Sequence, residues 1–219
     1  MIEAVRQELA PNGILRAGIN MSNPLLVTGK TEAGDPAGVS PDMARAIAER
    51  LGVEVRYVQF PSPGVLADAV GEDAYDIGLI AAEPARAESI TFTSAYVEIE
   101  ATYLVPAGSP LAVIDDVDRP GIRIAVSDRS AYDLYLTRAL EHGELHRAKG
   151  LAGALELFIS SKLDALAGLR PALIEDIKTM PGARILDGNY TTVQQAIGTP
   201  PKNSAAAAFL QDFVMEARA

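Results

Sequence analysis

Apolar positions along the chain fall into short runs and stripes separated by turn residues. Residues 1–13 form a short helical lead that Pro11-Asn12-Gly13 ends, and the apolar run at 14–18 predicts a strand. Residues 28–37 are rich in turn formers. Ser40-Pro41-Asp42 then predicts a helix start, with Ser40 as cap, Pro41 at the first helical position and Asp42 at the positive end of the dipole. Met43, Ile47 and Leu51 recur every fourth residue as one apolar stripe, and Gly52 stops the helix. A β-branched and aromatic strand at 53–60, a short helix at 65–70 and a buried strand at 76–81 follow. The second half repeats the theme: strands at 123–126, 145–148 and 165–168 alternate with helices at 130–141, 153–160 and 171–179, and a last helix spans 205–218.

Alternating short strands and helices predict an α/β fold of mainly parallel sheets flanked by helices. Two segments rhyme. Asp76-Ile77-Gly78-Leu79-Ile80 leads to Pro84-Ala85-Arg86, and Asp164-Ala165-Leu166-Ala167-Gly168 leads to Leu169-Arg170-Pro171. The repeat predicts two similar lobes, each with an arginine at the carboxyl end of a strand, where open α/β sheets bind ligands. The turn Pro106-Ala107-Gly108 sets one lobe at 1–105 with 188–219 and the other at 106–187. Two crossings make a hinge, and ligand closure follows from it.

Composition narrows the function. A net charge of −10 argues against a nucleic-acid partner, which needs a basic face. The chain has no cysteine, which excludes disulfides, thiolate nucleophiles and cysteine-bound zinc. His142 and His146 are four apart, but Gly143 breaks the helix that a paired-histidine metal site needs, so no metal is expected. No stretch is apolar for long enough to span a membrane as a helix. The first residues lack the basic start and apolar core of a secretory signal, which leaves two expectations: a trimmed form of an exported protein, or a cytoplasmic one.

The ordered set Gly13-Ile14-Leu15-Arg16-Ala17-Gly18, Gly38 to Val53, Asp76-Ile77-Gly78 to Tyr96, Ile124-Ala125-Val126-Ser127 with Ser130, and Ala196-Ile197-Gly198 resembles the family-3 extracellular solute-binding proteins of ABC importers. The resemblance covers residues 13–215. It implies a two-lobed fold of the type II periplasmic binding protein kind, a ligand cleft between the lobes, a periplasmic location, a monomer, no cofactor, and a membrane ABC permease as partner. The chain departs from the family at Asn20 and Asn23, where an acidic and an aromatic residue are usual, and at Ala81-Ala82-Glu83 in place of a Gly-x-Thr run. Arg170 stands where the amino-acid binders carry the aspartate that holds the ligand ammonium. The chain also ends without the family's aromatic-rich tail.

By the same resemblance Arg86 grips a ligand carboxylate through its planar fork; the alternative is a surface ion pair with Glu83 or Glu88. Asn20, Ser22 and Asn23 follow the first strand and either meet the ligand or shape a turn. Ala81 ends the strand before Arg86. Ser127, Arg129 and Ser130 form a loop before a helix whose backbone amides suit an anion, or whose serines cap the helix. Tyr132 lies one turn into that helix, and Gln194 and Gln195 lie near the return strand. An arginine at position 170 would repel an ammonium group, so the expected ligand is a small organic acid, not a zwitterionic amino acid. The expected function is binding without catalysis. Two alternatives stay open: a lyase of the cyclohexadienyl dehydratase type, for which Glu83 is the candidate acid, and a cytoplasmic ligand-sensing domain.

Overall fold

The computed structural model describes residues 2–218, so Met1 and Ala219, the ends of the expected first lobe, lie outside the described residues. In chain order the first half comprises α1 (Ile2–Leu9), β1 (Ile14–Asn20), β2 (Gly29–Lys30), β3 (Pro36–Ala37), α2 (Val39–Leu51), β4 (Glu54–Phe60), α3 (Pro63–Asp68), β5 (Ile77–Ala82), α4 (Pro84–Ala87), β6 (Thr91–Phe92) and β7 (Val97–Val105). The second half comprises β8 (Arg123–Ser127), α5 (Ala131–Ala139), β9 (Glu144–Ala148), α6 (Gly150–Ser160), β10 (Ala165–Leu169), α7 (Arg170–Asp176), β11 (Arg184–Ile185), β12 (Thr191–Thr199) and α8 (Ser204–Ala217).

Contacts divide the chain into two units, Met1–Glu98 with Gln194–Ala219, and Ile99–Val193. The changes fall inside β7 and β12, whereas the sequence suggested 105/106 and 187/188. The reason is that strands carry the chain across, and the Pro106-Ala107-Gly108 turn comes only after β7 has ended.

In the first unit β1 lies between β4 and β5, parallel to both, and β12 runs antiparallel to β5 with β6 on its edge. One face is packed by α1, α2 and α8 around Leu9, Leu15, Ile19, Ile47, Leu51, Ile77 and Leu210. Ile47 and Leu51 of the four-residue stripe are fully buried and Met43 packs partly. Helix α2 starts two residues earlier than Ser40 as a cap predicts. Gly38 holds the cap position at φ 130°, and a Cβ there would lie 2.6 Å from the Leu26 carbonyl oxygen, so only glycine fits. Ser40 is released from capping and shares a 3.0 Å hydrogen bond with the Tyr96 hydroxyl.

The other face of this sheet is lowered by a row of glycines. Gly18 pairs with Gly78, and Gly78 with Gly198. A Cβ on Gly18 would stand 3.2 Å from the Tyr75 ring, and one on Gly198 2.4 Å from Ile90. Tyr75 and Ile90 therefore settle directly on the backbone, with Phe60 meeting Tyr75 edge to face at 5.8 Å.

In the second unit β10 and β11 pair antiparallel with β7, and β10, β8 and β9 run parallel. Its core gathers Leu104, Ala125, Phe158, Leu163, Leu166 and Leu173.

Both units share one fastening. Before β5, Asp76 accepts the Arg16 backbone amide at 2.7 Å and the Arg16 Nη2 at 2.7 Å, and returns its own amide to the Arg16 carbonyl at 2.9 Å. Before β10, Asp164 accepts the Arg123 amide at 2.8 Å and Nε at 3.1 Å, and returns its amide at 2.9 Å. Asp76 is buried, so Asp76→Ala is expected to cost about 2–4 kcal/mol by leaving the Arg16 amide unpaired and its guanidinium held by Asp73 alone, measured as a lowered urea midpoint at constant slope.

Acid sensitivity has a local source in the second unit. Asp118 accepts amides from Glu141, His142 and Gly143, the last two at 2.8 Å. Burial opposes its ionisation, but these amides outweigh it and hold the carboxyl below the ordinary carboxylate range. Stability from such a group is present above the unfolded pKa and is lost as pH falls through the folded one. Asp118→Asn should therefore flatten the acid limb below about pH 4, read as a smaller difference between melting temperatures at pH 3 and pH 6.

Candidate functional site

The carboxyl ends of the parallel strands carry polar loops in both units. In the first unit, β1 ends at Asn20 and β5 at Ala82. The Asn20 Oδ1 accepts from the Ser22 amide at 3.1 Å and hydroxyl at 2.8 Å, and the Asn23 Oδ1 accepts from the Leu25 amide at 3.1 Å. Their oxygens shape the loop, so each side chain still has its amide nitrogen to offer as a donor. Gln194 and Gln195 of β12 lie opposite Ala82 and Ala81, at the same end of the sheet.

Arg86 follows directly. Pro84 opens the single turn of α4, and the chain reverses so that Arg86 Nη1 donates to the Ala81 carbonyl at 2.7 Å. The side chain is buried, with the residue only 5% exposed. A guanidinium presents five donors in one plane. Arg86 is thus fixed at the strand end as a buried side chain.

In the second unit β8 ends at Ser127, and Ser130 caps α5, its Oγ accepting the Asp133 amide at 3.1 Å. The Tyr132 hydroxyl interacts with the hydroxyls of Ser130 and Ser127; burial pushes its pKa up to about 12, so it stays a neutral donor. Tyr132 is 3% exposed and supports the loop from beneath. Arg129 adopts φ 55°, a left-handed backbone unusual for a side chain of this kind.

Most of the loop's amides have internal partners. Asp128 donates to Ala148, Ser130 to Ser127, and Arg129 to the Asp133 carboxylate at 2.8 Å. Asp133 is 2% exposed and is balanced by Arg147 at 2.9 Å. The positive end of α5 therefore faces a carboxylate of its own chain, and the anion-holding capacity read from the sequence rests on side chains more than on amides.

Arg170 opens α7, and its Nε donates to Glu100 at 2.7 Å while Nη2 reaches the carbonyls of Leu186 and Gly188. Its charge is met inside the second unit, which also removes its conflict with the helix dipole.

Sequence reasoning missed an aromatic cluster at this end. Tyr190 packs against Tyr103 with ring centroids 4.5 Å apart and planes tilted by 37°, and stacks on Tyr135 at 6.0 Å. Its backbone amide donates to Ala101, which pairs with Leu169, the last residue of β10. The cluster is drawn from three distant places in the chain, so no local spacing announces it.

A cavity of about 580 Å³ in the first unit lies at the other end, beside Ile14, Arg16 and Asp76 at the amino ends of β1 and β5. It is remote from Arg86, and the fastening of Arg16 to Asp73 and Asp76 accounts for much of its charged lining. Among the described residues no group of three or more His, Asp or Glu side chains converges as metal ligands.

Two α/β units with ligand-ready strand ends define the class of two-lobed solute-binding proteins. The chain matches the family of bacterial extracellular solute-binding proteins, family 3, over residues 15–219, and belongs to it. Similar solved structures include the arginine-bound form of a truncated ArgBP from T. maritima, 19% identical with a TM-score of 0.77, covering 96% of this chain and 99% of that one. Another is the ancestral amino acid-binding protein AncCDT-1, a precursor of cyclohexadienyl dehydratase, 19% identical with a TM-score of 0.78, covering 96% and 92%. A third is the putative binding component of an ABC transporter from Wolinella succinogenes complexed with lysine, 18% identical with a TM-score of 0.78, covering 94% and 90%. A comparison with curated proteins finds no match.

The capping role of Ser130 is directly testable. Ser130→Ala should lower stability by about 1 kcal/mol in thermal unfolding, whereas Ser130→Thr should restore most of it.

Proposed function

We propose that this protein is the substrate receptor of an ABC-type importer and that it takes a small organic acid through a carboxylate held by Arg86. The observation that carries the reading is the burial of Arg86 at the carboxyl end of β5, anchored by one nitrogen to Ala81. The planar fork of a guanidinium matches the geometry of a ligand carboxylate. In the second unit Ser127, Ser130 and Arg129 are the groups assigned to the ligand, with Tyr132 supporting them. Asn20 and Asn23 supply amide donors from the first unit. The partner on the membrane is a permease of the ABC class.

The preference for an organic acid over a zwitterion rests on the strand ends. β1 ends in Asn20 and β10 in Leu169 before Arg170, so neither offers a carboxylate to an ammonium group. The engagement of Arg170 by Glu100 weakens the repulsion argument, and the similar structures named for arginine and lysine support a second reading, an amino acid as ligand. For either ligand the role proposed is binding, in keeping with a family described as extracellular solute-binding proteins.

A thermal-shift screen against dicarboxylates, aromatic acids, sulfonates and amino acids tests these readings. A ligand at a hundred times its dissociation constant adds about 2.7 kcal/mol, or roughly 5–10 °C for a chain of this size. A shift with an organic acid that Arg86→Lys abolishes supports the first reading. A shift with amino acids alone replaces it with the second. The same shift in wild type and Arg86→Lys removes Arg86 from the site.

A further inference from the structure

We infer that the Tyr190 hydroxyl is a ligand contact that donates to an acceptor oxygen of the bound solute, and that Arg170 is the positioning residue that aims it. The inference rests on the receptor reading above and narrows it: the solute carries an acceptor oxygen beyond the carboxylate given to Arg86, as a dicarboxylic, oxo or hydroxy acid or a carboxamide does.

Three observations converge. The first is location. Tyr190 is joined through Ala101 to the level of Leu169, the end of β10, and β10 runs parallel to β8, which ends at Ser127. Tyr190 therefore belongs to the strand end that carries the Ser127–Ser130 loop. The second is an unmet donor. The Tyr190 hydroxyl oxygen is buried and has no hydrogen-bond partner, although buried hydroxyls are nearly always satisfied. Burial among Tyr103, Tyr132, Asp133 and Tyr135 also raises its pKa well above the ordinary value, so it keeps its proton. The third is the effort spent on its placement. Its ring packs against Tyr103 and stacks on Tyr135. The turn before it is tied to β7 at both ends, Leu186 donating to Tyr103 and Tyr190 to Ala101. Between those ties Arg170 holds the carbonyls of Leu186 and Gly188 and is itself held by Glu100. A side chain packed this firmly with its one polar atom unsatisfied fits a preorganised donor.

The test uses Tyr190→Phe, which keeps the stacked ring and deletes the hydroxyl, together with Arg170→Met. Succinate, 2-oxoglutarate, L-glutamine and benzoate are titrated calorimetrically into wild type, both single variants, the double variant and Arg86→Lys, and each ligand-free protein is melted. The expected result is a five- to tenfold weaker dissociation constant for Tyr190→Phe with the best-bound probe, with a ligand-free melting temperature equal to or above wild type. Arg170→Met should weaken the same probe, and the double variant should be no weaker than the worse single, because the two act as one unit. Unchanged affinity in Tyr190→Phe overturns the inference. So does a ligand-free melting temperature lowered by more than about 3 °C, since the hydroxyl would then be bonded already in the free protein. Binding that Arg86→Lys loses and Tyr190→Phe keeps overturns this inference alone. Failure of every probe to bind wild type overturns the receptor reading for these solutes and this inference with it.

Discussion

In each unit a carboxylate at the foot of one strand grips the strand beside it, and the ligand-facing ends depend on that grip. Parallel strands joined through helices have no hairpin to set their register, and a slip of one residue turns every side chain to the wrong face. Asp76 and Asp164 remove that freedom. Each exchanges backbone and side-chain bonds with one arginine of the adjacent strand, Arg16 or Arg123. With the amino ends fixed, the carboxyl ends come out level: Asn20 beside Phe60 in the first unit, Ser127 beside Ala148 in the second. The loops that follow then start from defined heights.

What stands on those ends differs between the units. The first keeps its sheet low with the Gly18, Gly78 and Gly198 row, so Tyr75 and Ile90 pack on bare backbone. The chain then turns sharply at Pro84 and delivers a buried arginine to the end of β5. In the second unit the buried Asp133, paired with Arg147, accepts the amide of Arg129 in its left-handed conformation.

Much of this was readable in the sequence because it is local. The stripe of Met43, Ile47 and Leu51, the buried run at 77–82, the cap at Ser130 and the arginines after β5 and in the first position of α7 are all set by neighbours within a few residues. Ser40 misled because its preference as a cap is real, but Gly38 admits a conformation no other residue tolerates, and the helix begins there instead. The unit boundary misled because a Pro-Gly turn marks a chain reversal, not the place where contacts change partners. The tyrosine cluster and the Asp–Arg fastenings were invisible for another reason. They join residues 32 to 87 positions apart on elements whose pairing only the folded sheet defines.

The rhyme between the two halves shows where pattern stops and context begins. Asp76 to Arg86 and Asp164 to Arg170 look like one device used twice, and at the amino end they are, since both aspartates make the same bonds. At the carboxyl end they part. Arg86 lies buried in the single turn of α4 beyond its strand, with one nitrogen on the Ala81 carbonyl. Arg170 comes immediately after its strand, too soon to fold back on it, and reaches sideways to Glu100 and the 186–188 turn. Three residues stand between strand and arginine in the first case and none in the second. With Glu100 beside it, the Arg170 charge is met within its own unit, so the sign of that charge alone does not select a ligand class.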